Sequence, residues 1–215
     1  MTQNDFVNDV NEINVILQGF KKQKELQYAG LSTQGIQSDH MAKLLQPKKP
    51  AMALNMRNSS ITNNAMVYIS QSMTNYNFYI SALSFRFCFL KFDDIMMLSK
   101  GIKFNKTIVK LDLGKNALKP CVIKFFLESL LDNFCLAELC LCDNFLDNEF
   151  AADLAHLLEQ NQILHTVDIS RNPIGPEGAE YLLQSLLQNN DTLESLGEDL
   201  DSNLYMGVRV REVLK

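Results

Sequence analysis

Asp112, Cys140 and Asp168 stand 28 residues apart, with Cys142 just beyond the central thiol and His165 just before the last carboxylate. Thiols, carboxylates and an imidazole suggest two chemistries: nucleophilic attack by a thiolate, and binding of a thiophilic metal. Both need the thiolate. Equal spacing places the three residues in one lateral row on neighbouring strands, ~4.8 Å apart. A thiol between two carboxylates has its pKa raised, which suppresses that thiolate. His165 lies nearer the start of its strand and is poorly placed to reverse the effect. The reading therefore assigns the cluster to a plain contact surface, with no catalytic residue, no metal and no cofactor. The signatures GxxxxGK[ST], GxGxxG, GxSxG, HExxH and paired CxxC do not occur in the chain.

A repeat positions this row. Residues 108–118 return in pattern at 136–146 and again at 164–174, each close to L-x-x-L-x-L-x-x-N-x-L. Self-similarity at a fixed period marks a repeat architecture. With units starting at residues 23, 51, 80, 108, 136 and 164, the fourth position reads Leu26, Leu54, Leu83, Leu111, Leu139, Val167. The sixth reads Tyr28, Met56, Phe85, Leu113, Leu141, Ile169, and the eleventh Thr33, Ile61, Leu90, Leu118, Leu146, Ile174. Two later columns, Met41, Ile69, Leu98, Phe126, Leu154, Leu182 and Leu45, Met73, Ile102, Leu130, Leu158, Leu186, are equally apolar. The early columns have the period of a half-buried strand; the later pair lie four apart, as on a helix face. Each unit is strand, turn, helix, and the helix satisfies the crossover that parallel strands require.

Two asparagine columns punctuate the unit. Asn116, Asn144 and Asn172, at the ninth position, have amide donors and an acceptor for backbone groups of adjoining turns. Cys88, Ser59 and Leu31 stand there in earlier units. Asn105, Asn133, Asn161 and Asn189 are expected to end each helix through left-handed backbone.

On these columns the chain resembles the ribonuclease-inhibitor type of leucine-rich repeat, well over residues 51–190 and poorly over 23–50. Alternation of Asn and Cys at the ninth position is a feature of that family, and Cys88 fits it. The resemblance implies an α/β solenoid, a curved horseshoe arc with parallel strands on the concave face and helices on the convex face. It also implies protein binding on the strand face. The Ran GTPase-activating proteins share that fold.

The ends read as caps on one continuous domain. Residues 1–22 carry Phe6, Val10, Ile13, Leu17 and Phe20 at helical spacing, residues 23–192 hold about six repeats of 28–29 residues, and 193–215 form a degenerate repeat and cap. In that last part Leu193 and Leu196 begin a unit, Glu198 breaks it, and Leu200, Asn203 and Tyr205 resume it after a slip before a helix-prone 208–214. A turn at 46–50 separates the first two units.

Composition points to a soluble, cytoplasmic protein. No apolar run reaches the ~18 residues of a membrane helix, and the polar start is unlike a signal peptide. Five cysteines without framework spacing read as free thiols in a reducing compartment, where the glycosylation patterns at Asn58, Asn105 and Asn190 go unused. A net charge of −5 argues against nucleic acid, and the scattered Lys21, Lys22, Lys24, Lys48 and Lys49 read as solvated surface. Cys121 and Cys135 read as packing residues, His40 and His156 as ordinary polar ones. The acidic stretch 194–201 is similar to C-terminal signals of bacterial secreted effectors, so secretion into a host cytosol is a further expectation, beside that of a merely soluble cap.

The concave face remains, where positions three, five, seven, eight and ten point away from the core. Its early half carries Arg57, Arg86, Phe87 and Phe89; its later half carries Asp112, Glu138, Cys140, Asp143, Phe145, Asp168 and Arg171. Phe89 and Phe145 occupy equivalent places two repeats apart. Each ring either folds over its neighbour's turn or stands exposed as a binding anchor. The expected function is a non-enzymatic module that engages a globular protein, one outcome being inhibition of a partner enzyme by covering its active site. No membrane or small-molecule substrate is expected. A GTPase-activating or scaffold role of the Ran GTPase-activator type is the alternative.

Overall fold

The computed structural model describes residues 25–27, 52–75, 80–188 and 190–197. The expected capping helix at 5–20, the turn at 46–50, Lys21, Lys22, Lys24, Lys48, Lys49, His40, Asn189 and residues 198–215 lie outside these. Six short parallel strands form one sheet in sequence order: β1 (Glu25–Gln27), β2 (Met52–Asn55), β3 (Ile80–Ser84), β4 (Lys110–Asp112), β5 (Glu138–Cys140) and β6 (Thr166–Asp168). Among the described residues, five helices return the chain: α1 (Asn63–Met73), α2 (Phe92–Phe104), α3 (Pro120–Leu130), α4 (Asn148–Gln160) and α5 (Pro176–Gln188). The register aligns Leu54, Leu83, Leu111, Leu139 and Val167 across the sheet, so the repeat columns are the strand partners. A bridge from Thr166 to Ser195 carries the ladder one unit further. This is the leucine-rich-repeat solenoid read from the columns.

The core is a single cluster between sheet and helices. From Leu54 and Met56 onward the fourth and sixth columns, and from Ile69 and Met73 onward both helix columns, are all buried. The eleventh is buried from Leu90 onward, with Ile61 partly so. Helices approach closely where residues are small. The Ser185 hydroxyl donates to the Ala155 carbonyl at 2.9 Å, and a Cβ on Gly178 would lie 2.9 Å from that of Ala151.

Two hydrogen-bonded asparagine ladders run along the solenoid. In the first, Asn144 Oδ1 accepts from the N–H groups of Asn116 and Leu118, both at 3.0 Å, while its Nδ2 donates to the carbonyls of Leu141, Leu113 and Cys142. Asn116 and Asn172 repeat the arrangement. Toward the N-terminus the ladder thins: Cys88 Sγ donates to the Met56 carbonyl at 2.9 Å, and Ser59 Oγ is buried without a partner among the described residues.

The second ladder corrects an expectation. Asn105 and Asn161 follow their helices with extended backbone, at φ −72° and −94°, not left-handed. Their side chains supply the link instead. Asn133 Nδ2 donates to the Ile102 carbonyl one repeat back at 2.6 Å, and its Oδ1 accepts from the N–H groups of Cys135 and Leu136. Asn190, rather than Asn189, takes this role in the last unit, bonding to the Leu158 carbonyl at 2.7 Å and accepting from Leu193. The last interval is one residue longer, so counting from the strand start misplaced it.

Left-handed backbone recurs at the eighth position, and is found also at Phe89 and Ala117 of the tenth. Asn58, Phe87, Lys115, Asp143 and Arg171 all adopt φ between 54° and 60°. Turning there keeps their N–H groups aimed at the next repeat: Phe87 donates to the Gly114 carbonyl, Lys115 to that of Cys142, and Asp143 to that of Ser170, at 2.9–3.0 Å. A non-glycine residue in this region costs about 1–2 kcal/mol, which each inter-repeat bond helps to offset.

Candidate functional site

The strands present their third and fifth positions along a trough of about 330 Å³. Its floor is low in the early repeats, where Ala53, Ala82 and Ser84 line it, and charged in the later ones, where Lys110, Asp112, Glu138 and Asp168 do. Lys110 Nζ and Glu138 Oε1 pair at 2.6 Å across neighbouring strands. Asp112 Oδ2 accepts from the Ser84 hydroxyl at 3.1 Å, and its Oδ1 accepts from Gly114 N at 2.9 Å. Asp168 Oδ1 accepts from Ser170 N in the same way.

Arg86 dominates the centre. It leaves the turn after β3, passes over the next repeat and reaches the one beyond. Its Nη1 lies 3.0 Å from Cys142 Sγ and 3.6 Å from both Cys140 Sγ and Asp112 Oδ1, while Nη2 lies 3.4 Å from Asp143 Oδ2. The passage exists because the seventh position of the intervening repeat is Gly114. A Cβ there would sit 2.5 Å from Arg86 Nη1. Burial works against the guanidinium charge, but the bond to Cys142 and the surrounding carboxylate outweigh it and hold the pKa above its ordinary value. Arg86, from the early half, is thereby tied to carboxylates of the later half. The seventh column itself, reading Arg86, Gly114, Cys142, held the signal.

The thiols beneath Arg86 differ sharply. Cys142 is only 2% exposed, whereas the seventh position was expected to face outward; Arg86 and the tight turn cover it. Cys140 is half-buried and donates its thiol proton to Cys142 Sγ at 3.3 Å and toward Asp168 Oδ2 at 3.6 Å. That bond to Cys142, then burial and the Asp112 charge, push the Cys140 pKa up, as expected of a thiol among carboxylates. The same hydrogen bond, followed by that from Arg86, holds Cys142 below the ordinary thiol range against its burial. Among the described residues, Cys140, Cys142 and Asp168 form the group whose ligand atoms lie within 4.8 Å of one another. His165 is not part of it; exposed, its Nδ1 sits 2.7 Å from the Ile163 carbonyl.

A ridge of turn residues borders the trough. Arg171 grips Asp143 with two bonds of 2.6 Å, Nε to Oδ1 and Nη2 to Oδ2, and holds that carboxyl below its ordinary pKa. Arg57 stands exposed after β2. Phe89 is 65% exposed and Phe145 59%, so these rings do not fold away over a neighbouring turn. Phe87, also exposed, packs against Phe89 with centroids 4.8 Å apart. Cys121 proves exposed rather than packed, because it falls in the first turn of α3 on the outer side, while Cys135 is half-buried. His156 is exposed. No helix of the described residues is long and apolar enough to cross a membrane.

Residues 160–183 match the family model described as Leucine Rich repeat. The chain is 28% identical over 148 residues to the NACHT, LRR and PYD domains-containing protein 9B of Mus musculus, covering 68% of this chain and 15% of that protein. It is 27% identical over 157 residues to the ribonuclease inhibitor of Sus scrofa, covering 73% of this chain and 34% of that protein. The chain thus spans about a third or less of the length of these curated relatives. Among solved structures it is similar to the tropomodulin C-terminal domain of Caenorhabditis elegans, with a TM-score of 0.52 and 15% identity over 83% of this chain and 92% of that one. Leiomodin-1 actin-binding site 2 gives 0.50 and 17% over 82% and 84%. These likenesses agree with the solenoid and with the ribonuclease-inhibitor resemblance; they give no support to the effector resemblance.

Proposed function

We propose that this chain is a non-enzymatic protein-binding module that engages one globular partner with its trough and bordering ridge. One observation carries the reading: Phe89 and Phe145 stand 65% and 59% exposed at equivalent turns beside the trough, although the repeat's own core does not need them. Exposed aromatics clustered on a soluble surface mark interfaces, and aromatic residues are over-represented among binding hot spots. The strands span roughly 25 Å, enough for an interface of ~800 Å² per partner. The similarity to ribonuclease inhibitor favours an enzyme as partner, inhibited by covering its active site.

Affinity capture from a cell lysate tests this when run with paired variants. A partner retained by the parent and by Glu180→Ala, but lost with Phe89→Ala and Phe145→Ala, supports the trough and ridge. If added protein instead accelerates GTP hydrolysis by a panel of small GTPases, the GTPase-activating reading replaces it.

A further inference from the structure

Cys140 and Cys142 bracket Leu141, whose side chain is fully buried, so both sulfurs emerge on the same side of the sheet. They stand 3.3 Å apart, with Cys140 as hydrogen-bond donor and Cys142 as acceptor. A cationic side chain already lies against both sulfurs: Arg86 Nη1, 3.0 Å from Cys142 Sγ and 3.6 Å from Cys140 Sγ. That arrangement disfavours an ion and favours a thiolate. We propose that Cys142 and Cys140 form a reversible redox pair, Cys142 being the sulfur that small hydroperoxides oxidise and Cys140 the thiol that resolves it.

The other cysteines make the contrast. Cys88 is buried, donates to the Met56 carbonyl and has its pKa pushed up to about 11. Cys121 is exposed. Cys142 alone combines a guanidinium donor with a thiol donor, and it is held below the ordinary thiol range by the Cys140 hydrogen bond first and Arg86 second. Its cover includes the Arg86 side chain, so a small peroxide reaches the sulfur when the guanidinium leaves its thiol and carboxylate partners.

The chemistry balances in two steps. The Cys142 thiolate attacks the terminal peroxide oxygen, the O–O bond breaks, and the released alkoxide or hydroxide takes a proton from solvent. This leaves a sulfenic acid and an alcohol or water. The Cys140 sulfur then attacks the Cys142 sulfur, hydroxide departs with the Cys140 proton as water, and a disulfide forms. Two thiols lose two electrons, and one hydroperoxide gains them. A disulfide spanning one intervening residue is strained, and strained disulfides are readily reduced again by thiols. Arg86 then loses its thiolate and keeps Asp112 and Asp143.

The test uses the full chain, reduced, freed of reductant and titrated with hydrogen peroxide, then alkylated and mapped by mass spectrometry. The expected product is the peptide carrying both cysteines, lighter by two hydrogens, formed before Cys121 reacts and reversed by dithiothreitol. In Cys140→Ser, dimedone traps a sulfenic acid on Cys142. Arg86→Gln slows the reaction near pH 7 and moves the rate profile to higher pH, because it removes one of the donors that hold the thiolate. Gly114→Ala displaces the guanidinium and also sets a methyl 3.1 Å from Cys142 Sγ, so it is expected to slow the reaction and to move the rate profile the same way; circular dichroism verifies that both variants keep their fold. Oxidation of Cys121 while the pair stays reduced overturns the proposal. So does a rate profile unmoved in both folded variants, or a stoichiometric zinc that resists chelators and protects the thiols.

Discussion

At the scale of single residues, the two asparagine ladders are the most demanding features. Asn144 makes five bonds within a turn that excludes water, so its loss strands backbone donors and acceptors in two repeats. Asn144→Ala is expected to cost about 1–3 kcal/mol, read from the urea unfolding midpoint, and Asn133→Ala a similar amount. The pair Asp143–Arg171 carries a pH dependence. Its carboxyl is held low chiefly by the Arg171 hydrogen bond, so the folded state binds that proton less readily than the unfolded chain, whose value is ~3.9. The pair's contribution is therefore complete above the unfolded value and disappears as pH falls through the lowered folded one. Asp143→Asn should flatten the acid limb of stability as pH falls below the unfolded carboxylate value. An unchanged acid limb would remove the pair from the account.

The turns and helices show where local preference and repeat geometry disagree. Lys115 holds φ 58° with an exposed side chain, a conformation glycine adopts without strain. Lys115→Gly is expected to raise the unfolding midpoint, by up to about 1 kcal/mol in stability. Gly178 reverses the logic. Alanine is the better helix former by about 1 kcal/mol, yet a Cβ at this point of α5 would meet Asn148 Oδ1 at 2.7 Å and Ile174 Cγ2 at 2.8 Å. Gly178→Ala should destabilise the protein, because the α4–α5 spacing is set by the packed core and not by helix preference.

For the whole molecule, binding is expected to distribute between anchors and charge. Phe89→Ala and Phe145→Ala should each weaken partner binding by ~2 kcal/mol without lowering the melting temperature, as exposed rings hold little of the fold together. Glu180→Ala and Gln184→Ala on the convex side should leave affinity unchanged. Raised salt should slow association more than it speeds dissociation. Arg86 is a different case. Tied to Asp112, Asp143 and two thiols, it fixes the shape of the trough before any partner arrives, so its removal alters several side chains together.

Periodicity by itself determined the architecture. Columns of apolar residues at strand and then helix spacing admit one economical burial, parallel strands on one side and helices on the other, because every unit must cover its neighbour. The ninth-position asparagines were legible for a related reason: a buried turn must satisfy its backbone, and few side chains carry both donors and an acceptor. What tertiary structure decided is everything that depends on neighbours 28 residues or more apart. The reach of Arg86 over Gly114, the burial of Cys142 and the hydrogen bond that divides two thiols into donor and acceptor come from three successive units. A column lists residue types at one position of the repeat. Only stacking the repeats sets how far a long side chain extends across them, and which charge it meets there.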